Sequence, residues 1–401
     1  MTTPAQQRLA PLDWMRGLVM VFMTLDHVSA IFNRDRLQED AYIDSSAMAS
    51  LFVEPGNPLH FLTRWVTHLC APTFVFLAGT ALALSVARRV ERGDSNWAID
   101  RHLLVRGGLL ILLEVWMSLG SMFPVLQVLY AIGASLLCMA LLRRLPTWIL
   151  AGAALVWMGA GEWFTGAIGL KPIMGQDDSV VTSLWGGLVF VKGFVELPFT
   201  LPSILWMEGR EFFLALYPFL PWLAIMMLGW AFGNWLAVRR TQEDLAQSAA
   251  RLLTIAGSLA LCVFFAQRLL DGYGNFWLPR GDDTWLRWLQ VSKYPPSLAF
   301  YGLELGIMAL LLSCFFRFQN REIKPNGPLM VFGQVALFFF LIHVHLLMLV
   351  RVYTTGLEVE APLGVYETWG ATLLALIVLY PICRVYRSLK QAHPRSLLRF
   401  F

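Results

Sequence analysis

Residues 13–27 read Asp-Trp-Met-Arg-Gly-Leu-Val-Met-Val-Phe-Met-Thr-Leu-Asp-His, and they place ionisable side chains inside an otherwise apolar segment. Arg16 and His27 are eleven residues apart, which is about three turns of an α-helix and roughly 16 Å along its axis. Both side chains therefore share one face of the predicted helix. Ionisable groups in an apolar span are costly and by default mark a functional interior. The alternative is structural, with an arginine that extends to the membrane surface and a histidine hydrogen-bonded to a neighbouring helix.

The composition of the whole chain is that of a membrane protein. Of its 401 residues, 57% are hydrophobic and 14% are charged, whereas an ordinary soluble domain carries about 25% charged residues. Apolar runs of about 20 residues recur, and each is long enough to cross a hydrocarbon core of about 30 Å. The sequence predicts an all-α polytopic fold with a single domain over residues 1–401, embedded in a lipid bilayer.

The five cysteines and the net charge of +4 exclude several other classes of function. The cysteines lie in or beside apolar runs and lack the spacing of zinc ligands, so we expect neither disulfides nor a metal site. The positive charge is attributed to membrane topology, and no nucleic-acid partner is expected.

About ten transmembrane helices are predicted, at residues 13–33, 60–87, 102–121, 123–142, 148–168, 214–237, 251–270, 297–316, 328–352 and 366–386. Arginine and lysine concentrate in alternate connections and in the C-terminal tail, so both termini are predicted to be cytoplasmic. Residues 184–207 are apolar but contain Lys192, Glu196 and two prolines. A crossing there would place the basic Arg239–Arg240 connection outside, so this segment is predicted to be a re-entrant or interfacial element on the outer face.

Three basic side chains form a stripe at the start of the second predicted span. His60, Arg64 and His68 are four residues apart and therefore stack on one face of a helix. The first two spans are consecutive and antiparallel, so we expect Arg64 and His68 to cluster with His27 and Asp26. The structural alternatives are that Arg64 and His60 extend to the membrane surface, and that His68 sits at the kink produced by a proline four residues later.

Polar residues in the later spans add further candidates. His343 and His345 are two residues apart, about 200° around a helix, so only one of them can face the interior, and a metal site on such a pair is unfavourable. We favour His343. Glu114, Gln127 and Glu304 are predicted to lie deep in the membrane, where a structural pairing with other helices is the alternative to a role in the site. The Lys293-Tyr-Pro-Pro-Ser297 stretch is predicted to begin a helix on the outer face.

Several stretches in order along the chain resemble one family. They are Leu12-Asp-Trp-Met-Arg-Gly17, the Thr67–Gly79 and Phe332–His343 segments, Tyr217-Pro-Phe-Leu-Pro-Trp222 and Lys293–Ser297. They are similar to the catalytic domain of heparan-α-glucosaminide N-acetyltransferase, within the transmembrane acyltransferase superfamily. The Arg-x10-His pattern of Arg16 and His27 also resembles that of bacterial integral-membrane O-acyltransferases.

The resemblance implies a membrane acyltransferase that moves an acyl group, expected to be acetyl, from cytoplasmic acyl-coenzyme A to a hydroxyl or amine of an extracytoplasmic glycan or glycolipid. On this hypothesis Arg16 and Arg64 bind the coenzyme, and His27, His68, Asp26 and Glu114 serve catalysis. His343, Lys293 and Gln127 bind the acceptor, and no metal is required. Adjacent residues diverge by about 100°, so His68 or Glu114 is better placed than Asp26 to orient His27.

Two positions depart from the family pattern. The animal heparan enzyme carries an acidic residue where His68 stands and an asparagine at the position of His27, so the acceptor does not transfer with the resemblance. An acyl-histidine intermediate and a homo-oligomer both stay open. The alternative function is a proton-coupled carrier or flippase of anionic or lipid-linked solutes, which would use the same buried ionisable residues.

Overall fold

The fold was examined in a computed structural model. It describes residues 9–33, 58–118, 124–170, 181–196, 212–276, 278, 280, 285–319, 324–356, 363–393 and 396.

Helices occupy all ten predicted spans. They are α1 (Ala10–Phe32), α2 (Pro58–Thr67), α3 (Cys70–Glu91), α4 (Asn96–Ser118), α5 (Val128–Leu142), α6 (Thr147–Ala167), α7 (Phe219–Arg239), α8 (Leu245–Leu270), α9 (Trp285–Leu289), α10 (Leu298–Phe318), α11 (Pro328–Gln334), α12 (Ala336–Gly356) and α13 (Val365–Ala392). Seven helices of the described part are long and apolar enough to cross a membrane, with α2 and α3 counted as one. The exact number of crossings stays a prediction.

The two ends of the helix bundle are set by the first and last helices. Asn33, just after α1, forms a β-bridge with Leu363, just before α13. The two helices therefore run antiparallel, and Ala10 and Ala392 lie at the same end, which we call the near end. The arginine-rich ends of α3, α5, α7 and α10 also lie there, as the alternating pattern of basic connections predicted. The opposite end is called the far end.

The second predicted span is broken where the sequence indicated a kink. α2 ends at Thr67 and α3 begins at Cys70, so His68 lies in the break, four residues before Pro72. A proline lacks the backbone N–H that would bond to the residue four positions earlier, and its ring crowds that carbonyl. The break changes the direction of the chain beside α1.

Gly229 and Gly233 allow close packing of α7 against α3. A Cβ atom on Gly229 would overlap the carbonyl oxygen of Phe76 on α3, and one on Gly233 would lie 2.5 Å from the carbonyl oxygen of Thr80. The Thr80 hydroxyl donates to the Gly229 carbonyl at 3.1 Å. Only small residues allow two helix backbones to approach this closely, so α3 and α7 form a tight central pair.

The fold is predominantly helical, in agreement with the predicted all-α class, and four short strands that were not predicted form a mixed sheet at the far end in the order β1-β4-β3-β2. The strands are β1 (Val125–Leu126), β2 (Val181–Thr182), β3 (Gly193–Glu196) and β4 (Phe212–Ala215). β3 and β4 are antiparallel, while β1 pairs with β4 and β2 with β3 in parallel. Val195, Phe213 and Ala215 form its small buried core. The strands are too short for an alternating pattern to be visible in the sequence.

The sheet contains the described half of the predicted re-entrant segment. Gly186–Phe190 is a π-helical turn that leads into β3, and residues 197–207 lie outside the described part. Glu196 pairs with Phe212, so the chain returns beside the point where it left. This pairing agrees with a segment that does not cross the bundle.

Candidate functional site

A polar cavity of about 630 Å³ opens at the near end, between α1, α3, α7 and α11. Arg16, Arg88 and Arg240 all line it. Arg16 Nη1 donates to Asp13 Oδ1 at 2.8 Å, and Arg240 Nη2 lies 2.6 Å from Glu91 Oε1. The volume is that of a pocket for a sizeable small molecule, and three guanidinium groups suit phosphate oxygens. Arg16, the predicted coenzyme ligand, therefore faces a cavity that Arg88 and Arg240 share.

A pair of histidines joins α1 to α12 nearer the far end. His27 Nδ1 lies 2.7 Å from His343 Nε2, and the two rings are nearly coplanar, with an interplanar angle of 7°. His343 is completely buried, whereas His345 on the same helix is exposed. The prediction that His343 alone faces the interior is confirmed. Its contact is with His27.

The hydrogen-bond chain assigns the proton positions in this pair. His343 Nδ1 lies 2.9 Å from the backbone carbonyl of Phe339, which only accepts, so Nδ1 of His343 carries a proton. In the neutral ring Nε2 is then an acceptor, and the proton between the two rings belongs to His27 Nδ1. The remaining lone pair of His27 is therefore on Nε2. This is the tautomer in which Nε2 of His27 can accept a proton or attack an electrophile.

Asp26 faces a different helix from its neighbour His27, as the 100° turn per residue predicted. Its Oδ1 accepts from Arg64 Nη1 at 2.5 Å and from the Thr67 hydroxyl at 2.9 Å, both on α2. Arg64 is itself buried. The expected pairing of Asp26 with Arg64 is confirmed, and the pair fixes α2 against α1. This contact gives Arg64 a carboxylate partner inside the bundle.

Further buried ionisable groups surround the break between α2 and α3. Cys70 lies within electrostatic range of Asp26, Arg64, Lys293 and Glu304, which are two acidic and two basic side chains. We call these four residues the charged cluster. Lys293 is only 3% exposed and its ammonium group lies 5.1 Å from the ring centre of Tyr294. The lysine makes no ion pair within the described part of the chain.

Two tyrosines join the far-end loops beside this cluster. Tyr217 precedes α7 and Tyr294 precedes α10, and their hydroxyl oxygens are 3.1 Å apart in a buried hydrogen bond. Tyr217 also packs against Trp222, with ring centres 4.7 Å apart. Sequence reasoning quoted both stretches but assigned neither tyrosine a place in the site. The only feature of the sequence that could have indicated this contact was a polar aromatic residue in each of the two loops.

The other histidines of the predicted stripe lie against α1 and α10. His60 Nδ1 is 3.3 Å from Asn33 Nδ2, at the far end of α1. His68 is buried in the helix break, and its ring centre is 6.4 Å from that of Phe300 on α10. These positions agree with the structural alternatives for both residues. A functional role of His68 stays a prediction.

The expectation that Glu114 orients His27 is wrong. Glu114 Oε2 accepts the backbone N–H groups of Leu129 and Tyr130, at 2.9 and 3.1 Å, in the first turn of α5. A carboxylate satisfies the unpaired donors of a helix N-terminus and favours its positive dipole. Glu114 is therefore a helix cap.

Gln127 does not lie at the depth that the sequence predicted. It is the exposed residue that immediately precedes α5 at the far end. The helix begins at Val128, five residues after the predicted start of the span at residue 123, so the glutamine is outside the bundle core. Contact with an acceptor stays a prediction for this residue.

Within the described residues no group of three or more His, Cys, Asp or Glu side chains is placed to hold a metal ion. Residues 8–269 match the heparan-alpha-glucosaminide N-acetyltransferase catalytic family. The match covers more than half of the chain and confirms the resemblance seen in the sequence motifs. A search of the curated proteins gives no match.

Proposed function

The chain belongs to the heparan-alpha-glucosaminide N-acetyltransferase catalytic family, and from this premise we propose that it transfers acetyl groups across a membrane. The donor is acetyl-coenzyme A at the near end, which is the cytoplasmic side of a bacterial inner membrane. The acceptor is a hydroxyl or amine of an extracytoplasmic glycan or glycolipid, which enters from the far end. The observation that carries the proposal is the His27–His343 pair, because it fixes one tautomer of a histidine on the same helix as a cationic cavity.

The near-end cavity holds the phosphates of the coenzyme. Arg16, Arg88 and Arg240 supply permanent cations, and guanidinium groups bind phosphate oxygens in a bidentate geometry. His27 is eleven residues from Arg16, roughly 16 Å along α1. The thioester of the coenzyme is separated from its nucleotide by an extended pantetheine arm, which suits a phosphate site and a reaction site at different depths on one helix.

His27 acts as the base in the transfer step. Its Nε2 takes the proton from the acceptor hydroxyl or amine while the acceptor oxygen or nitrogen attacks the thioester carbonyl carbon. The new bond forms, the carbon–sulfur bond breaks, and the sulfur leaves as a thiolate that recovers the proton from His27. The hydrogen bond to His343 holds the ring in the required tautomer and stabilises the protonated state. Attack by His27 itself, to give an acyl-histidine, uses the same tautomer.

The acceptor is held by the far-end residues of the charged cluster. Lys293 is a buried cation with no ion pair within the described part, so it suits an anionic group of the acceptor. The Tyr217–Tyr294 pair borders the same region and offers hydroxyl groups to a glycan. Gln127 is exposed at the same end, where an acceptor would arrive.

The test of the proposal is the substitution His27→Gln. Glutamine keeps hydrogen-bonding groups and similar volume but does not take up a proton near neutral pH. We expect the rate of radiolabelled acetyl transfer from coenzyme A to an envelope glycan fraction to fall by about a hundredfold or more. The matched control is His345→Gln, an exposed histidine two residues from His343, which should keep the parental rate.

The result that rejects the mechanism is a folded His27→Gln protein with near-parental transfer. If the parent protein transfers no acetyl, the assignment of the donor or of the acceptor is wrong. The competing hypothesis, a carrier or flippase, draws on the Asp26–Arg64 pair, since buried ion pairs between helices also occur in transporters. A carrier of unrelated solutes should show no thermal stabilisation by coenzyme A, whereas the enzyme should.

A further inference from the structure

A second basic cavity lies in the groove between α8 and α10. It has a volume of about 340 Å³ and is lined by Gln247, Ala250, Arg251, Thr254, Ile255 and Arg317. α8 begins and α10 ends at the near end, so the cavity is at that surface of the bundle. The two helices meet closely further along, where a Cβ atom on Gly257 would lie 2.9 Å from the carbonyl oxygen of Gly306. The groove therefore has a fixed shape.

One of the two arginines of this cavity, Arg317, is held in place by a hydroxyl group. Arg317 Nη2 donates to the Thr254 hydroxyl oxygen at 3.1 Å, and that oxygen is 2.8 Å from the Ser313 hydroxyl. Ser313 donates in turn to the carbonyl of Ala250 at 2.7 Å. Neither Arg251 nor Arg317 has an acidic partner among the described residues. Two guanidinium groups thus line one cavity without an acidic partner in the described part of the chain.

An apolar stripe leads from the cavity along α8 into the membrane-facing surface. Ile255, Leu259 and Val263 follow Arg251 at intervals of four residues and are 54%, 62% and 44% exposed. α8 is one of the helices long and apolar enough to span a membrane, and little of it is buried by the protein. One face of α8 therefore has a charged end followed by an apolar track, which matches the charged headgroup and the apolar acyl chain of a phospholipid.

From this arrangement we propose that the groove binds an anionic phospholipid, with its phosphate between Arg251 and Arg317 and an acyl chain along Ile255, Leu259 and Val263. Basic pockets between transmembrane helices at the membrane surface are suited to anionic headgroups. A free phosphate ion would share the negative charge of the lipid headgroup. The apolar track along α8 favours a lipid, because only a lipid also has an acyl chain. The site is separate from the acetyl-transfer site, so its failure would not affect the proposed function.

The experiment measures lipid retention by the full-length chain. The protein is titrated in detergent with phosphatidylglycerol or phosphatidylcholine, and bound lipid is counted by native mass spectrometry. We expect selective retention of phosphatidylglycerol by the parent. Each arginine near an anionic surface contributes about 1 kcal/mol, a factor of about five in affinity, so Arg251→Gln/Arg317→Gln should bind about 25-fold more weakly.

Two further variants distinguish a specific lipid site from a general effect of positive charge on the protein surface. The control Arg101→Gln/Arg384→Gln removes the same charge from exposed near-end positions on α4 and α13 and should retain the lipid. Thr254→Val keeps every charge but removes the hydroxyl that holds Arg317, and it should weaken binding several-fold. Equal loss in the control, no loss in the groove variants, or equal competition by water-soluble glycerol phosphate would overturn the proposal.

Discussion

His343 accepts the hydrogen bond that fixes the tautomer of His27. Replacing it should distinguish the positioning of His27 from the chemistry that His27 itself performs. His343→Leu deletes the ring nitrogen that accepts from His27 Nδ1 and leaves the N–H of the half-buried His27 without this acceptor. Loss of a buried hydrogen bond costs about 1–3 kcal/mol, which corresponds to roughly 5- to 150-fold in rate if the cost falls on the transition state. We therefore expect an intermediate loss of kcat for acetyl transfer, smaller than that of His27→Gln. The KM for acetyl-coenzyme A should change little, because the phosphates bind elsewhere.

The conservative variant of the same position makes this prediction specific. In His343→Gln the side-chain oxygen can take the place of the ring nitrogen and accept from His27 Nδ1, so the rate should stay within about tenfold of the parent. The assay compares kcat, KM and the pH dependence of the rate for both variants, with thermal unfolding in detergent as the control for folding. An active His343→Leu protein within twofold of the parent would refute the reasoning. So would equal losses in the leucine and glutamine variants.

Three other substitutions test separate parts of the structure. Arg16→Ala should weaken acetyl-coenzyme A binding by about tenfold or more, measured by calorimetry, because a charge-assisted contact is lost. The His27→Ala control should bind the coenzyme normally. Equal loss of binding in both variants would contradict the assignment of Arg16 to the coenzyme site. Glu114→Ala should lower the melting temperature by removing a cap that contributes about 1 kcal/mol, with the rate per folded molecule unchanged; a catalytic Glu114 would instead lose activity at constant stability. Gly229→Ala should destabilise the chain by about 1–3 kcal/mol through overlap with Phe76, whereas Gly152→Ala, with open space around it, should be neutral in the same melting assay.

The local geometry of the site was predictable because it depends on helix periodicity alone. The divergence of Asp26 from His27, the inward position of His343 and the helix break at His68 all follow from the 100° turn per residue or from a proline. The partner of His27 was not predictable in this way. It lies 316 positions later in the chain, and the contact depends on how α12 packs against α1.

The errors arose where depth was inferred from sequence position within a span. Gln127 was expected inside the membrane because it falls within a long apolar run, and it is exposed, whereas Glu114 is buried but has a different partner from the expected one. α5 has only 15 residues, and its N-terminus is met by the carboxylate of Glu114 from the end of α4. The depth of a polar residue therefore depends on where a helix begins, which hydropathy locates poorly.

The region that matches the family does not contain the whole site. The match ends at residue 269, within α8. His343, Lys293 and Glu304 all follow it, whereas His27 and Arg64 lie inside it. The two regions are not separate packing units, because α1 contacts α11, α12 and α13 as well as α2 and α3. The hydrogen bond that fixes His27 and the cavity that includes Arg16 both require helices from beyond residue 269. A single domain over residues 1–401 stays a prediction, and both the partner of His27 and part of the cavity around Arg16 come from helices that the family comparison does not cover.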